Sequence, residues 1–213
     1  MLQSELVPAA DRASRRSMVV LHGLGDSMEG YRWLPSALGL PGLNYLLVNA
    51  PDSYYGGWSW YDYAGDSGPG VLRSRRLLFA LLDHCRAAGF PTEQTLLFGF
   101  SQGCLMTLDV GLRYPHRFAG LIGISGHVHE PERLIAELSP VAAQQRLLIT
   151  HGTDDPLIPF AAVREQINLL KAEGLHIEWH ELVKEHTIAG EGELELIREF
   201  CERCLAATGE TRR

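Results

Sequence analysis

Short runs of consecutive apolar residues recur along the chain, and between them lie segments whose apolar positions are three or four residues apart. A short apolar run is typical of a buried strand, whereas the wider spacing is typical of one face of a helix. The runs predict strands over residues 3–7, 17–21, 44–48, 95–99, 118–125, 145–150 and 176–183, of which the first and the last are edge strands. The spaced segments predict helices over residues 29–38, 71–88, 102–114, 131–138, 160–172 and 189–206.

This alternation predicts an α/β fold in which a mostly parallel central sheet carries helices on both faces. No internal repeat or linker divides the sequence, so we expect a single domain over residues 1–213 without a separate cap domain. Residues 1–16 are expected to form a partly ordered N-terminal segment and residues 209–213 a frayed tail. Residues 50–70 show no periodicity but contain the aromatic cluster WSWYDY. Long loops of this kind tend to be functional.

Composition narrows the class of protein. Hydrophobic residues make up 46% of the chain and charged residues 21%, which is ordinary for a soluble globular protein. The net charge of −7 argues against nucleic acid as a partner, and no window is apolar enough for stable membrane insertion. The N-terminus lacks an apolar secretory segment, and four cysteines in a chain of this length do not indicate a disulfide framework. We therefore expect a cytoplasmic protein.

Reactive side chains follow three of the predicted strands. The pattern Gly99-x-Ser101-x-Gly103 lies between a strand and a helix, which is the context of the nucleophile elbow in α/β-hydrolases. Sites in open α/β sheets form beyond the carboxyl ends of strands, where Asp155 and His186 also lie. Serine, acid and histidine follow one another in the order that such hydrolases use. The alternative is an ordinary Gly-Ser turn in an unrelated α/β domain.

Two of these assignments have rivals in the sequence. The acid is either Asp154 or Asp155, and the other of the two then caps the turn before a proline. His127 and His129 follow a strand and therefore compete with His186 as the base. Their spacing also permits a metal site, but no cysteine or carboxylate cluster completes it. We expect no metal and no organic cofactor.

The turn Gly23-x-Gly25 follows the strand at 17–21. A dinucleotide-binding fingerprint would need a glycine where the chain has Met28, which excludes that interpretation. The turn is better explained as half of an oxyanion hole, with the backbone N–H of Leu24 or its neighbour as one donor and that of Gln102 as the other. Glycines in the turn allow its backbone to approach a substrate closely.

Five segments together resemble the phospholipase/carboxylesterase family of small α/β-hydrolases, which includes the acyl-protein thioesterases. They are LHGLGD (21–26), SWYD (59–62), GFSQG (99–103), HGTDDPLIP (151–159) and the final His186. The resemblance implies the α/β-hydrolase fold, with Ser101 as nucleophile, Asp155 as acid and His186 as base. It also implies oxyanion donors at Leu24 and Gln102. Three residues are expected to contact substrate, namely Gly23, Trp60 and Tyr61.

The chain departs from this family's pattern at two places. Cys104 follows Gly103 where family members usually have a second glycine, and we expect it to be a core residue. Lys184 and Glu185 precede His186 where the family usually has glycine, which places two opposite charges beside the predicted base. The second departure affects the substrate rim more than the catalysis. A further motif, Cys201-x-x-Cys204, lies within the last helix, so a redox role is not expected.

These observations predict a serine carboxylesterase or thioesterase that hydrolyses short- to medium-chain acyl esters through an acyl-enzyme. The chain has no room for a lid domain, which favours an open, shallow acyl site. The alternatives are a lysophospholipase or acyl-protein thioesterase using the same three residues, and a non-catalytic hydrolase-like binding module. The expected partner is a small-molecule ester or thioester, and the exposed aromatics leave a homodimer open.

Overall fold

The computed structural model describes residues 1–207, which form a seven-stranded sheet, a two-stranded hairpin and six α-helices. The strands are β1 (Ser4–Val7), β2 (Ser17–Leu21), β3 (Asn44–Val48), β4 (Asp52–Tyr54), β5 (Gly57–Ser59), β6 (Thr95–Phe100), β7 (Gly120–Ile124), β8 (Arg146–Gly152) and β9 (His176–Leu182). The helices are α1 (Leu34–Leu38), α2 (Ser67–Ala87), α3 (Gln102–Arg113), α4 (Pro131–Ala136), α5 (Phe160–Ala172) and α6 (Gly190–Ala207). The tail expected at residues 209–213 lies outside the described residues. Within residues 1–207, none of the helices has the length and apolar character that a membrane span requires.

The seven-stranded sheet has the order β1-β3-β2-β6-β7-β8-β9. Within it, β1 pairs with β3 in antiparallel fashion, and all the other neighbours pair in parallel. The prediction of a mostly parallel sheet is therefore confirmed. Parallel strands need crossover connections, so their carboxyl ends lie at one edge of the sheet. The segments that follow β6, β8 and β9 consequently meet at that edge, and these segments carry the serine, the acid and the histidine.

Apolar side chains cover both faces of the sheet. Val19 and Leu21 of β2 pack in a core with helices α2 to α5. Met18 and Val20, which alternate with them, pack in a second core with α1 and α6. A sheet buried on both faces requires nearly continuous apolar strands, and β2 and β7 are buried along their whole length. This explains why the short apolar runs predicted the strands so well.

The prediction of a single helix over residues 29–38 is wrong. The chain instead forms a 3₁₀ turn at Met28–Tyr31 and then the short helix α1 at Leu34–Leu38. Pro35 is the physical reason, because a proline inside a helix lacks the N–H donor and its ring collides with the carbonyl one turn earlier. In the first turn of a new helix neither problem arises, and Pro35 lies in that position of α1.

The segment 50–70 contains more structure than its lack of periodicity predicted. Residues 52–59 form the hairpin of β4 and β5, and α2 begins at Ser67 rather than at residue 71. The carboxylate of Asp66 caps α2 by accepting a hydrogen bond from the N–H of Gly68 at 3.0 Å. Gly68, Pro69 and Gly70 are thus tolerated because they fall in the first helical turn. The other predicted bounds agree with the structure to about two residues, the usual scatter of element ends.

Backbone segments approach one another very closely where β6 meets α3. A Cβ atom added at Gly103 would lie 2.1 Å from the carbonyl oxygen of Leu21 at the end of β2. A Cβ atom added at Gly99 would lie 2.1 Å from the carbonyl oxygen of Gly103. Both contacts are far shorter than a carbon and an oxygen can tolerate. The two glycines of the G-x-S-x-G pattern are therefore required by packing around Ser101.

We expect Gly103→Ala to destabilise the protein by about 3 kcal/mol or more, because the obstructing atoms belong to backbone and cannot rotate away. Urea unfolding at equilibrium measures the change. Gly42→Ala is the matched control, since a Cβ atom there meets nothing within 4 Å. Its free energy of unfolding should stay within about 0.5 kcal/mol of the unsubstituted protein. Equal effects of the two substitutions would contradict the packing argument.

Candidate active site

Ser101 occupies the turn between β6 and α3 in a conformation that is rare for residues other than glycine, with φ 54° and ψ −116°. Its N–H donates to the carbonyl oxygen of Ile124 at 2.9 Å, and its own carbonyl oxygen accepts from the N–H of Leu105 at 3.2 Å. Backbone strain of this kind costs on the order of 1–3 kcal/mol and persists only where the surrounding structure enforces it. The strained turn is the geometry of a nucleophile elbow.

A continuous chain of hydrogen bonds links Ser101, His186 and Asp155. Nε2 of His186 lies 2.8 Å from Oγ of Ser101, and Nδ1 lies 2.8 Å from Oδ2 of Asp155. The other carboxylate oxygen, Oδ1, accepts from the N–H groups of Leu157 and Ile158, both at 2.9 Å. The side chain of Asp155 is fully buried, whereas 13% of that of His186 is exposed. The imidazole therefore bridges a fixed carboxylate and an accessible hydroxyl.

The electrostatics keep Asp155 ionised. Burial alone raises the pKa of a carboxyl group, but hydrogen bonds from Ile158, His186 and Leu157 outweigh it, and the pKa of Asp155 lies below its usual value. An ionised carboxylate can accept a hydrogen bond from the protonated Nδ1 of His186, and it stabilises the ring when the ring becomes positively charged. Nε2 is then free to accept a proton from Ser101.

The structure separates these three residues from their rivals. Asp154 is exposed, and its carboxylate accepts a hydrogen bond from the neighbouring hydroxyl of Thr153 at 3.3 Å. His129 lies beside Glu130, with 3.8 Å between Nε2 and Oε2. His127 lines the same cavity as Ser101 but makes no hydrogen bond to it. Among residues 1–207, no group of three or more histidine, cysteine or acidic side chains is arranged to hold a metal ion.

His22 fixes the turn that supplies the predicted oxyanion donor. Its Nε2 accepts from the N–H of Ala50 at 3.1 Å, so Nδ1 carries the proton and donates to the carbonyl oxygen of Gly23 at 2.6 Å. Burial lowers the pKa of His22, which favours this neutral form. The buried ring thus connects the turn after β2 to the segment after β3. Its role is structural, because both ring nitrogens are hydrogen-bonded to backbone groups.

The residues that carry the two predicted oxyanion donors both line the cavity. Leu24 and Gln102 line it together with Ser101. Gln102 is the first residue of α3, so its N–H has no acceptor within the helix. The N–H of Leu24 has no acceptor among residues 1–207. Two N–H groups beside one hydroxyl are the arrangement that binds a developing oxyanion.

The side chain of Gln102 has a second role that the sequence did not indicate. Its Oε1 accepts from the N–H of Trp60 at 2.9 Å, and its Nε2 donates to the carbonyl oxygen of Tyr61 at 3.1 Å. These bonds tie the loop before α2 to the elbow. The predicted substrate contact at Trp60 needs correction, because its ring is 0% exposed and its Nε1–H donates to the carbonyl oxygen of His22 at 2.9 Å. Gly23 and Tyr61 do line the cavity.

Cys104 shows how the chain accommodates its departure from the family pattern. The side chain is fully buried against two glycines, since a Cβ atom added at Gly123 or Gly126 would lie 2.7 or 2.6 Å from its Sγ. Burial raises the pKa of the Cys104 thiol to about 12. The thiol is therefore neutral and unreactive at pH 7, and Cys104 is a core residue as expected.

The cavity in front of Ser101 has a volume of about 700 Å³. Leu24, Tyr61, Leu157, Ile158 and Val163 give it a largely apolar lining, which suits an acyl chain. Asp26 and Gln166 also line the cavity, although the sequence analysis assigned no role to either of them. His127, which the sequence offered as a rival base because it lies just beyond the end of β7, lines the cavity as well. Gln166 lies mid-helix and gave no such signal.

Lys184, which the sequence places beside the predicted base, forms a buried ion pair with Glu193. Its Nζ lies 2.6 Å from Oε1 of Glu193, and the two side chains are only 2% and 0% exposed. Burial lowers the pKa of Lys184, while the Glu193 carboxylate opposes that shift. Glu193 also accepts from Oγ1 of Thr150 and from the N–H of Ala189. One carboxylate thus holds both ends of the segment 184–189, which carries His186.

Comparison with known proteins shows the family and the fold of this chain. The family model described as Phospholipase/Carboxylesterase matches residues 2–205. Acyl-protein thioesterase 1 from Schizosaccharomyces pombe is 33% identical over 160 residues, which are 69% of this chain and 71% of that protein. The crystal structure of esterase PE8 superposes with a TM-score of 0.86 at 29% identity and covers 96% of this chain and 99% of its own. Arabidopsis thaliana SOBER1 gives 0.81 at 27% identity, with 89% and 99% covered.

We expect Lys184→Met and Glu193→Gln each to destabilise the protein, Lys184→Met by about 3–5 kcal/mol because it leaves a buried carboxylate without its cation. The double substitution should lower the free energy of unfolding by less than the sum of the two single effects. Urea unfolding of the unsubstituted protein, the two single variants and the double variant measures the difference. Arg203→Met is the control, because Arg203 and Glu178 are also 2.6 Å apart but 52% and 48% exposed. Its effect should not exceed about 1 kcal/mol. Additive losses would show that the buried pair does not act as a unit.

Proposed function

Since this chain belongs to the phospholipase/carboxylesterase family, and is thus a serine hydrolase of carboxylic esters, we propose that it cleaves acyl esters or thioesters through an acyl-enzyme on Ser101. The observation that carries the assignment is the hydrogen-bonded chain from Asp155 through His186 to Ser101, with both bonds at 2.8 Å. It supplies a nucleophile, a base in reach of its proton and a group that orients the base.

In the proposed mechanism, Oγ of Ser101 attacks the substrate carbonyl while Nε2 of His186 takes its proton. Asp155 holds the ring in the tautomer with Nδ1 protonated and stabilises its positive charge. The N–H groups of Leu24 and Gln102 bind the oxyanion of the tetrahedral intermediate, and each is expected to contribute roughly 10²–10³ in rate. His186 then protonates the departing alcohol or thiol. Water, activated by the same ring, releases the acid and regenerates Ser101.

The largely apolar cavity supports a short- to medium-chain acyl group as substrate. Its rim is formed by side chains of the loops between strands and helices, such as Tyr63 and Leu157, rather than by a separate domain. Hydrolysis of lysophospholipids or of acyl-protein thioesters on the same residues is the second candidate, which the similarity to an acyl-protein thioesterase favours. A cytoplasmic location, an absence of nucleic-acid binding and a possible homodimer stay predictions from the sequence.

Ser101→Ala should abolish turnover of p-nitrophenyl butyrate and covalent labelling by a fluorophosphonate, because the attacking oxygen is gone. Ser125→Ala is the matched control, since Ser125 also ends a strand with positive φ but is 0% exposed, and it should still be labelled. Asp155→Asn should lower kcat roughly 10⁴-fold, whereas the exposed neighbour Asp154 should tolerate Asn. Labelling of folded Ser101→Ala would show that the nucleophile is another residue, whereas no labelling of the unsubstituted protein would favour the binding-module alternative.

The proposed acyl-chain preference rests on the open rim of the cavity, where Tyr63 and Leu157 are exposed, rather than on its volume. Across p-nitrophenyl esters and acyl thioesters from C2 to C16, kcat/KM should reach its maximum at short to medium chains and then decline, because longer chains extend past the rim. Initial rates below the critical micelle concentration of each ester provide the measurement. A steady rise toward C16 would contradict the short-chain proposal and support the lysophospholipase or acyl-protein thioesterase alternative.

A further inference from the structure

One wall of the active-site cavity carries two side chains, each with a nitrogen atom that has no hydrogen-bond partner among residues 1–207. His127 follows β7, Gln166 lies on α5, and both side chains line the cavity. They are neighbours, because the N–H of Val128 donates to Oε1 of Gln166 at 2.9 Å. That bond occupies the oxygen of the amide and leaves its NH₂ group as the free end. Nε2 of Gln166 has no acceptor among residues 1–207.

The imidazole of His127 presents a second donor. Its Nδ1 is buried from solvent and has no hydrogen-bond partner among residues 1–207. Its Nε2 is not buried and without a partner in the same way. Burial, together with the nearby His129 and His151, lowers the pKa of His127, so the ring is neutral at pH 7 and carries one N–H. Buried N–H groups without an acceptor are rare in proteins, which assigns the proton to Nε2. Two N–H donors therefore stand at this wall without a protein acceptor.

The charges of the cavity restrict what such donors can bind. Asp26 and Asp62 also line it, and neither forms an ion pair among residues 1–207. A cavity lined with negative charge disfavours a carboxylate or phosphate as ligand. The remaining acceptors are uncharged oxygen atoms, as in an ether, a hydroxyl or a carbonyl group. An entirely alkyl substrate would leave both donors unsatisfied when it displaces water.

We propose that His127 and Gln166 form a subsite for an uncharged oxygen atom that the substrate carries beyond its scissile carbonyl group. The preferred substrates are then oxygen-bearing esters or thioesters rather than simple alkyl ones. This inference rests on the proposed function, because it names the substrate class of the same site. The oxygen can belong to the acyl chain or to the leaving group, and the two sources are distinguished by experiment.

The test compares pairs of esters that differ by one ether oxygen in place of a methylene. One set places the oxygen at successive acyl positions from the fourth carbon onward, as in oxa-octanoates against octanoate. The other set places it in the leaving group, as in 2-methoxyethyl against butyl esters. We expect kcat/KM of the ether member to exceed that of its partner by about fivefold or more at one or two positions of one set. That set identifies which part of the substrate carries the oxygen.

The variants test whether these two side chains cause the preference. His127→Leu removes the imidazole donor, and Gln166→Glu replaces the free NH₂ group while keeping an oxygen for Val128. The ratio of the ether to the alkyl ester should fall to about one in both. His129→Leu, in the same loop but outside the cavity lining, should keep the ratio of the unsubstituted protein. A ratio of one in the unsubstituted protein for every pair, or a preference that survives in both variants, overturns the subsite.

A failure of the proposed function has a different signature. In that case the unsubstituted protein hydrolyses neither member of any pair. Binding of the same pairs to Ser101→Ala, measured by calorimetric titration, then still decides the question. The ether member should bind about fivefold more tightly at the position identified, and equal dissociation constants for every pair overturn the subsite.

Discussion

The arrangement of this site depends on how closely the backbone of α3 passes the end of β2. Gly103 lies so near the carbonyl oxygen of Leu21 that a single added carbon would come within 2.1 Å of it. The turn that presents Leu24 begins just after that carbonyl group. The contact therefore fixes the first turn of α3, and with it Ser101, relative to the turn that carries Leu24. A larger residue at 103 would separate Ser101 from Leu24, one of the two proposed oxyanion donors.

Buried polar side chains hold the loops that surround this contact. His22 ties the oxyanion turn to Ala50, Gln102 ties the loop at 59–61 to the elbow, and Glu193 ties the segment 184–189 to β8. A buried polar group costs free energy unless it is hydrogen-bonded, so each of these side chains tolerates only a loop conformation that satisfies it. The loops have little regular structure of their own, so these side-chain hydrogen bonds fix their conformation in place of the backbone bonds of a strand or helix.

The sequence predicted those features that depend on local patterns. Apolar runs located β2 and β3 to the residue, and the order of serine, acid and histidine at strand ends predicted Ser101 and His186, whose side chains are hydrogen-bonded in the structure. Where local rules conflict the prediction failed, as at Pro35, which both interrupts one helix and begins another. Pairings between residues far apart in the chain carry no local signal. The bond between Gln102 and Trp60 spans 42 residues and belongs to that class. Lys184 and Glu193 are only 9 residues apart, but their pairing also depends on how the loop after β9 folds back onto α6.

The same contacts divide the three residues of the proposed mechanism into two units. The loops after β8 and β9 are joined directly, since the N–H groups of Thr153 and Asp154 donate to the carbonyl oxygens of Leu182 and Lys184 at 2.9 and 3.2 Å. Gly152 lies so close that an added Cβ atom would be 2.2 Å from the latter oxygen. Asp155 and His186 therefore lie on two loops that are hydrogen-bonded to each other, while Ser101 lies in the elbow between β6 and α3.

This division suits the chemistry. In the proposed mechanism, the bond between Asp155 and His186 persists through every step, because the ring needs the carboxylate both when it accepts a proton and when it donates one. The bond between His186 and Ser101 breaks when the proton moves and the acyl group attaches, and forms again when the acid leaves. The first bond joins two loops that are hydrogen-bonded to each other, whereas the second joins those loops to the elbow. A shift of the elbow relative to the loops would then alter proton transfer without disturbing the orientation of the base.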